Sequence, residues 1–261
     1  MAAAAFLFAV ATAPTATAAA QAVRKRTTPP IETERPDFVE SSVVLARGYL
    51  QVESGLTYQR EADGSQSLLT ETLLRYGAAS RVELRFGFPG FDLPAAETES
   101  GIARGDIYVG VKLQLGPVRG IDLAIIPAVS IPIGDPSSTS GGWDPQLDVT
   151  VSTDLPAGID ASGMITGLLP SEPGRRNGTV QTSLSFGHAL FSPRWHVFVE
   201  GFGTYPRYGA SGFLAHVGVR WLLTDDMQVD AHTARRIAGD VPESFMAIGF
   251  SVRAPLFRAG P

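Results

Sequence analysis

From Asp106 to Leu115 the chain changes character at every residue. Asp106, Tyr108, Gly110, Lys112 and Gln114 alternate with Ile107, Val109, Val111, Leu113 and Leu115. A period of two is the pattern of a β-strand with one apolar and one wet face. Two architectures satisfy it. A soluble sandwich turns the apolar face inward, whereas an outer-membrane barrel turns it outward to lipid and keeps the polar face inside. A single strand does not choose between them, but its recurrence along the chain does.

Segments of about ten residues with strand character recur twelve times, near 47–59, 66–77, 80–88, 105–115, 120–133, 145–155, 158–169, 178–189, 194–204, 211–223, 226–236 and 243–253. No segment after residue 23 has the apolar length of a spanning helix. The connections fall into two alternating classes. Ala78-Ala79, Gly116 to Arg119, Pro156-Ala157, Leu190 to Pro193 and Thr224-Asp225 are short; most of the others, such as PGFDLPAAETESGIAR and GDPSSTSGGWD, are long and polar. Short turns at one rim and long loops at the other are what outer-membrane barrels show, and a Greek-key sandwich has no reason to alternate so regularly. The expected fold class is therefore all-β: a transmembrane antiparallel β-barrel of about 12 strands, with a short N-terminal mouth or plug segment. Aromatic residues near strand ends (Tyr49, Tyr76, Trp143, Trp195, Tyr205, Tyr208, Trp221) suit interfacial girdles. Two stretches alternate poorly, IDLAIIPAVSIPIG and ASGMITGLLP. They mark places where the wall bends or a plug packs inside it.

The chain has 0 cysteines, which excludes disulfides, thiolate metal sites and a lipidated cysteine anchor. Its 21 basic and 26 acidic residues are mixed along the sequence, so there is no basic face for nucleic acid. The first residues, MAAAAFLFAVATAPTATAAAQAV, are apolar and then small, with A-x-A triplets, the pattern of a removable export signal. The division expected is 1–22 signal peptide, 23–45 periplasmic or plug segment and 46–261 outer-membrane β-barrel. The location expected is the bacterial outer membrane, with lipid and the barrel-assembly machinery as partners.

Residues 34–59, ERPDFVESSVVLARGYLQVESGLTYQ, resemble the opening motif of the meta-pathway phenol-degradation family of bacterial outer-membrane proteins, whose members are often called transporters. The motif is an Arg-Pro-Asp-Phe-x-Glu-Ser run followed by a Gly-x-x-Gln-x-Glu-x-Gly strand. Here it is carried by Arg35, Pro36, Asp37, Phe38, Glu40 and Ser41, then Gly48, Gln51, Glu53 and Gly55. LLRYGAASRVELRFG, GDIYVGVKLQL and AIIPAVSIPIGD are similar to later blocks of that family. The resemblance implies an outer-membrane barrel and a role in moving hydrophobic or aromatic compounds.

Candidate residues follow from parity. The RPDFVESS segment mixes charge with an aromatic ring, which a plain linker does not need, so Arg35, Asp37, Phe38 and Glu40 are expected inside the lumen or across its mouth. Glu53, Glu71, Arg75, Arg81, Glu83, Arg85, Asp106, Lys112, Asp148, Glu200 and Arg220 fall on the inward faces, with Asp230 and Arg253, and charges of both signs in a confined lumen should pair. His196, Glu200, His216 and His232 share inward parity on successive strands, but a strand places His196 and Glu200 too far apart for one metal to take both. Ser183 or Ser185 near His188 offers a serine–histidine pair for an outer-membrane lipid hydrolase; His188 lies on the opposite face and no Gly-x-Ser-x-Gly elbow occurs. The sequence thus points to a passive channel for small hydrophobic or aromatic solutes, not an enzyme, with no metal and no cofactor. A loop-presenting structural barrel is the alternative, and a lipid hydrolase comes third.

Overall fold

The computed structural model describes residues 28–94 and 103–256. The expected export signal, residues 1–22, lies outside them. Twelve strands form the wall: β1 (Tyr49–Arg60), β2 (Gln66–Ala79), β3 (Val82–Phe88), β4 (Ile107–Gln114), β5 (Asp122–Ile131), β6 (Asp144–Leu155), β7 (Ile159–Leu168), β8 (Thr179–Ala189), β9 (Trp195–Pro206), β10 (Gly212–Thr224), β11 (Met227–Gly239) and β12 (Ser244–Pro255). Each pairs antiparallel with its neighbour in sequence, and β1 also pairs with β12 from Tyr49↔Pro255 to Arg60↔Ser244, which closes the barrel. Two small hairpins extend the long-loop rim: Phe91–Pro94 with Ala103–Arg104, and Ser171–Glu172 with Arg175–Arg176.

Alternation decides which face is which. Gln51, Glu53, Arg75, Glu83, Arg85, Lys112 and Asp148 are all at most 1% exposed, inside the barrel. Their strand neighbours Val52, Leu74, Leu84, Phe86, Val111, Leu147 and Val149 take the opposite parity, and Phe86, Leu147 and Val149 stand exposed on the outside with Ile165, Leu184, Val199, Val217 and Ile248. An apolar belt of this extent is what lipid covers and water does not. Aromatic residues edge the belt: Trp195 and Trp221 stack at 4.9 Å beside the short turns, and Tyr205 meets Phe213 edge-on at 5.6 Å near the long loops.

The strand ends differ from expectation by no more than three residues, but two inward assignments need correcting. Arg81 keeps the inward parity yet sits in the two-residue turn between β2 and β3, exposed to solvent. Asp106 lies just before β4, where its carboxylate accepts hydrogen bonds from the Gly134 and Ser140 amides at 2.9 and 3.1 Å. It ties down the 132–143 loop and is not part of the lumen wall. In β5 the irregular pattern has a structural reason. Ala124 and Ile126 fill inward positions with apolar side chains at 0% exposure, and Pro127, with no amide hydrogen, falls where the β4–β5 ladder is interrupted between Ala128 and Ile125.

Candidate functional site

The segment before β1 enters the barrel and runs across the lumen. Backbone groups of a non-strand segment must find partners in a closed space, and here wall side chains supply them. The Glu53 carboxylate accepts the Glu34 and Arg35 amides at 2.9 and 3.2 Å, Glu200 accepts the Phe38 and Val39 amides at 2.9 Å each, and Glu83 accepts the Leu45 amide at 2.8 Å. Thr150 donates to the Glu40 carbonyl at 2.5 Å, Gln228 donates to Thr33 at 2.8 Å, and Arg253 donates to the Pro29 carbonyl at 2.8 Å. The plug is therefore held from β1, β3, β6, β9, β11 and β12.

Its side chains divide the lumen into two chemically different halves. On the β2–β4 side, Glu34 is ion-paired with Arg75 at 2.8 Å, with Arg85 at 3.1 Å and with Lys112. Burial alone would raise the Glu34 carboxyl, but Arg75, Lys112 and Arg85 hold it well below the usual carboxylate range. Glu40 also pairs with Arg85, and Arg75 is shared with Glu53 and Glu83 at 2.8 Å each. The β9–β12 side carries an apolar cluster beside its polar groups: Leu214, Ala234, Val241 and Phe245 are buried together, and Phe38 and Phe202 pack against them. The Phe38 ring lies 4.5 Å from Phe202, 4.9 Å from His216 and 5.9 Å from Phe245.

Arg35 bridges the two. Its guanidinium lies in the space left by Gly55 of β1 and Gly249 of β12, where any Cβ would collide with it. It pairs with Glu71 and with Asp230 at 3.4 Å, and it meets His232 at 3.2 Å. Asp37 accepts from Ser185 at 3.1 Å. The remaining inward candidates are placed as follows. Asp148 is bound by Thr166 at 2.6 Å and Gln146 at 2.9 Å. Arg220 donates to His196, which in turn meets Asp160 at 2.6 Å. His216 and His232 are joined at 2.8 Å, and His216 meets Glu200 at 2.7 Å. His196 thus stands apart with Asp160 and Arg220, while Glu200, His216 and His232 lie together, and each ring nitrogen of the three histidines has a protein partner. Ser185 faces the plug while His188 is exposed on the outside, bound to the Gly158 carbonyl at 2.9 Å, so they form no pair.

Sequence reasoning did not single out Glu34, Gln51, Thr150, Phe202, Gln228 or Phe245 as site residues. Phe202 and Phe245 carried a readable signal, an aromatic at an inward position of a wet face. Between plug and wall at the short-turn rim remains a cavity of about 420 Å³, lined by Asp37, Asp154, Asp160, His196, Arg220 and Gln228 among others.

Residues 33–254 match the family model described as "Putative MetA-pathway of phenol degradation". No curated protein matches the sequence. Among solved structures, an outer membrane channel from Pseudomonas putida F1 is similar at a TM-score of 0.64 and 11% identity, covering 82% of this chain and 98% of that one. The NanC porin is similar at 0.56 and 9% identity (78% and 98% covered), and the KdgM porin at 0.55 and 7% (77% and 98% covered). At these identities the likeness is one of fold, and the fold is that of outer-membrane barrels.

Proposed function

We propose that the chain, which belongs to the family of the MetA pathway of phenol degradation, is a plugged passive channel of the bacterial outer membrane for small hydrophobic or aromatic solutes. The observation that carries this reading is the seat of Phe38. A lumen wall built only to conduct water and ions has no use for a buried apolar pocket, yet Phe202, Leu214, Ala234, Val241 and Phe245 make one and a phenyl ring fills it. A pocket that binds the plug's ring can bind a solute's ring of the same size. Solute would reach it from the long-loop rim, and displacement of the plug would then open the way to the short-turn rim. The movement is down a gradient, and the plug sets how often the path is open.

The test is single-channel recording of the full-length chain in planar bilayers, with and without phenol and toluene, beside Phe38→Ala. Phe38→Ala removes a half-buried aromatic anchor, so the cost should lie at or below the low end of the range, about 3–5 kcal/mol, that a fully buried ring costs. The open fraction should rise at least about tenfold, and aromatic solute should block or slow the current. A folded, inserted Phe38→Ala protein that stays silent and passes no aromatic solute would leave the loop-presenting scaffold as the function.

A further inference from the structure

We propose that the wall cations around Glu34 form a binding site for a small aromatic carboxylate, which the plug occupies as a tethered stand-in. The inference rests on the channel reading above and names a solute class for it.

Arg75 and Arg85 stand directly opposite each other in the β2–β3 ladder. Lys112 lies on β4, two residues beyond Gly110, the cross-strand partner of Arg85. Like charges placed opposite one another destabilise a ladder, so this stretch of wall is built around anions. The wall itself supplies some of them. Glu83 takes Arg75 Nε at 2.8 Å and Arg85 Nη1 at 3.2 Å, and Glu53 takes Arg75 Nη1 at 2.8 Å. Lys112 stands opposite the wall's own Glu83 in the β3–β4 ladder, but among the described residues its ion pairs within 4 Å are with the plug, with Glu34 and, at 3.9 Å, with Glu40. With the plug in place the side chains of Arg75, Arg85 and Lys112 are each at most 1% exposed, so their charges are met there by carboxylates and not by water. When the plug moves away, Arg85 and Lys112 lose two carboxylates at once.

The plug's backbone is held by Glu53, Glu83, Glu200 and Thr150, and also by Lys112 and Arg75, which donate to the Ser41 and Glu32 carbonyls at 2.6 and 3.0 Å, so it stays fastened without the Glu34 and Glu40 carboxylates. What Glu34 and Glu40 add is occupancy of an anion site. Next to that site is a surface for a ring. Tyr108 lies across Gly87 and Gly110, at both of which a Cβ would crowd it, and its hydroxyl is buried beside the Arg85 guanidinium. β4 descends from the long-loop rim, so a solute meets Tyr108 first and Lys112 next. A flat aromatic shelf followed by a cation pair fits a ring bearing a carboxylate, with the guanidinium and ammonium donating to its two oxygens.

The probes are benzoate and its neutral counterpart benzyl alcohol, titrated calorimetrically into the full-length chain. A tethered carboxylate competes at an effective concentration on the order of millimolar, so the wild-type chain should bind benzoate weakly. Glu34→Gln with Glu40→Gln keeps the shape of both side chains and removes the competitor; benzoate should then bind at least about tenfold more tightly. Adding Lys112→Gln should take that gain away, and benzyl alcohol should bind alike in all three. The proposal is overturned if the folded double variant binds benzoate no better than wild type, or binds the alcohol equally well. Should that variant not fold, the wild type decides. The Ser41 amide is held by Glu34 at 2.7 Å, and excess benzoate, but not benzyl alcohol, should speed its hydrogen exchange; no difference between them overturns the site. Potassium chloride current through the same proteins reads the channel separately. Benzoate-selective binding in a silent barrel supports the site and removes the channel, and current without benzoate selectivity removes the site and keeps the channel.

Discussion

His216 and His232 share a single hydrogen bond, Nε2 to Nδ1 at 2.8 Å, and its direction is fixed from outside the pair. Arg35 reaches His232 Nε2 at 3.2 Å, and a guanidinium can only donate. His232 Nε2 is therefore bare, its Nδ1 carries the proton and donates to His216 Nε2, and His216 Nδ1 donates to Glu200 at 2.7 Å. Glu200 in turn accepts the amides of Phe38 and Val39, so the relay begins and ends on the plug. Nitrogen NMR of the neutral imidazoles should show both protonated at Nδ1. His232→Ala leaves Arg35 and His216 each short of a partner and should weaken plug docking by about 1–3 kcal/mol, seen as faster exchange of the Phe38 amide. An Nε2 proton on either ring would refute the relay.

The two faces of β6 should respond oppositely to charge. Val149 stands on the lipid side near mid-strand, so Val149→Arg should cost about 2–4 kcal/mol. Asp154 opens into the cavity at the short-turn rim, and Asp154→Arg should stay within about 1 kcal/mol. Reversible urea unfolding in liposomes measures both, and equal costs would mean that the faces are assigned the wrong way round.

The hairpin of Phe91–Pro94 with Ala103–Arg104 is pinned by Asp135, which accepts the Arg104 amide at 2.8 Å and its guanidinium at 3.2 Å. The amide bond first, and then the guanidinium, hold the Asp135 carboxyl below its ordinary value. A depressed carboxylate contributes its stability above the unfolded value, and loses it as pH falls through the folded one. Protection of the Arg104 amide should thus be flat from neutral pH through about pH 5 and fall below the usual carboxylate range. Loss of protection already near neutrality would exclude Asp135 as the pin.

How much of this was legible depends on whether the information was local. Period two is a local mark, so the twelve strands, most of their faces and the division into short and long connections could be read directly, while IDLAIIPAVSIPIG, with apolar Ala124 and Ile126 turned inward, hid its own. Parity does not say where a strand stops. Arg81 keeps the inward phase while standing in a turn, and Asp106 keeps it one residue before its strand, where Gly134 and Ser140 claim its oxygens. The charge and ring of the RPDFVESS run pointed into the lumen. Which wall groups meet them could not be read, because the convergence of Arg75, Arg85 and Lys112 on Glu34 depends on the registers of three strands far away in sequence. Phe38 is a similar case, since its pocket is assembled from β9, β10, β11, β12 and the 240–243 loop.

Deleting residues 28–45 should separate a plug from a latch. Closure between β1 and β12 runs unbroken over twelve residue pairs, from Tyr49↔Pro255 to Arg60↔Ser244, and none of those backbone bonds involves the plug. The truncated chain therefore keeps every strand pairing. It loses the ion pairs of Lys112 with Glu34 and Glu40, but water enters the emptied lumen and solvates the cations the plug had covered, so the cost of leaving them unpaired is largely relieved. Folding should survive, visible as retained heat-modifiable gel mobility, and potassium chloride conductance should rise well above that of the intact chain. A latch gives the opposite pattern, in which the truncated barrel loses its heat-modifiable mobility and no stable current is recorded. The segment would then be a structural closure, and control of passage would have to lie in the long loops.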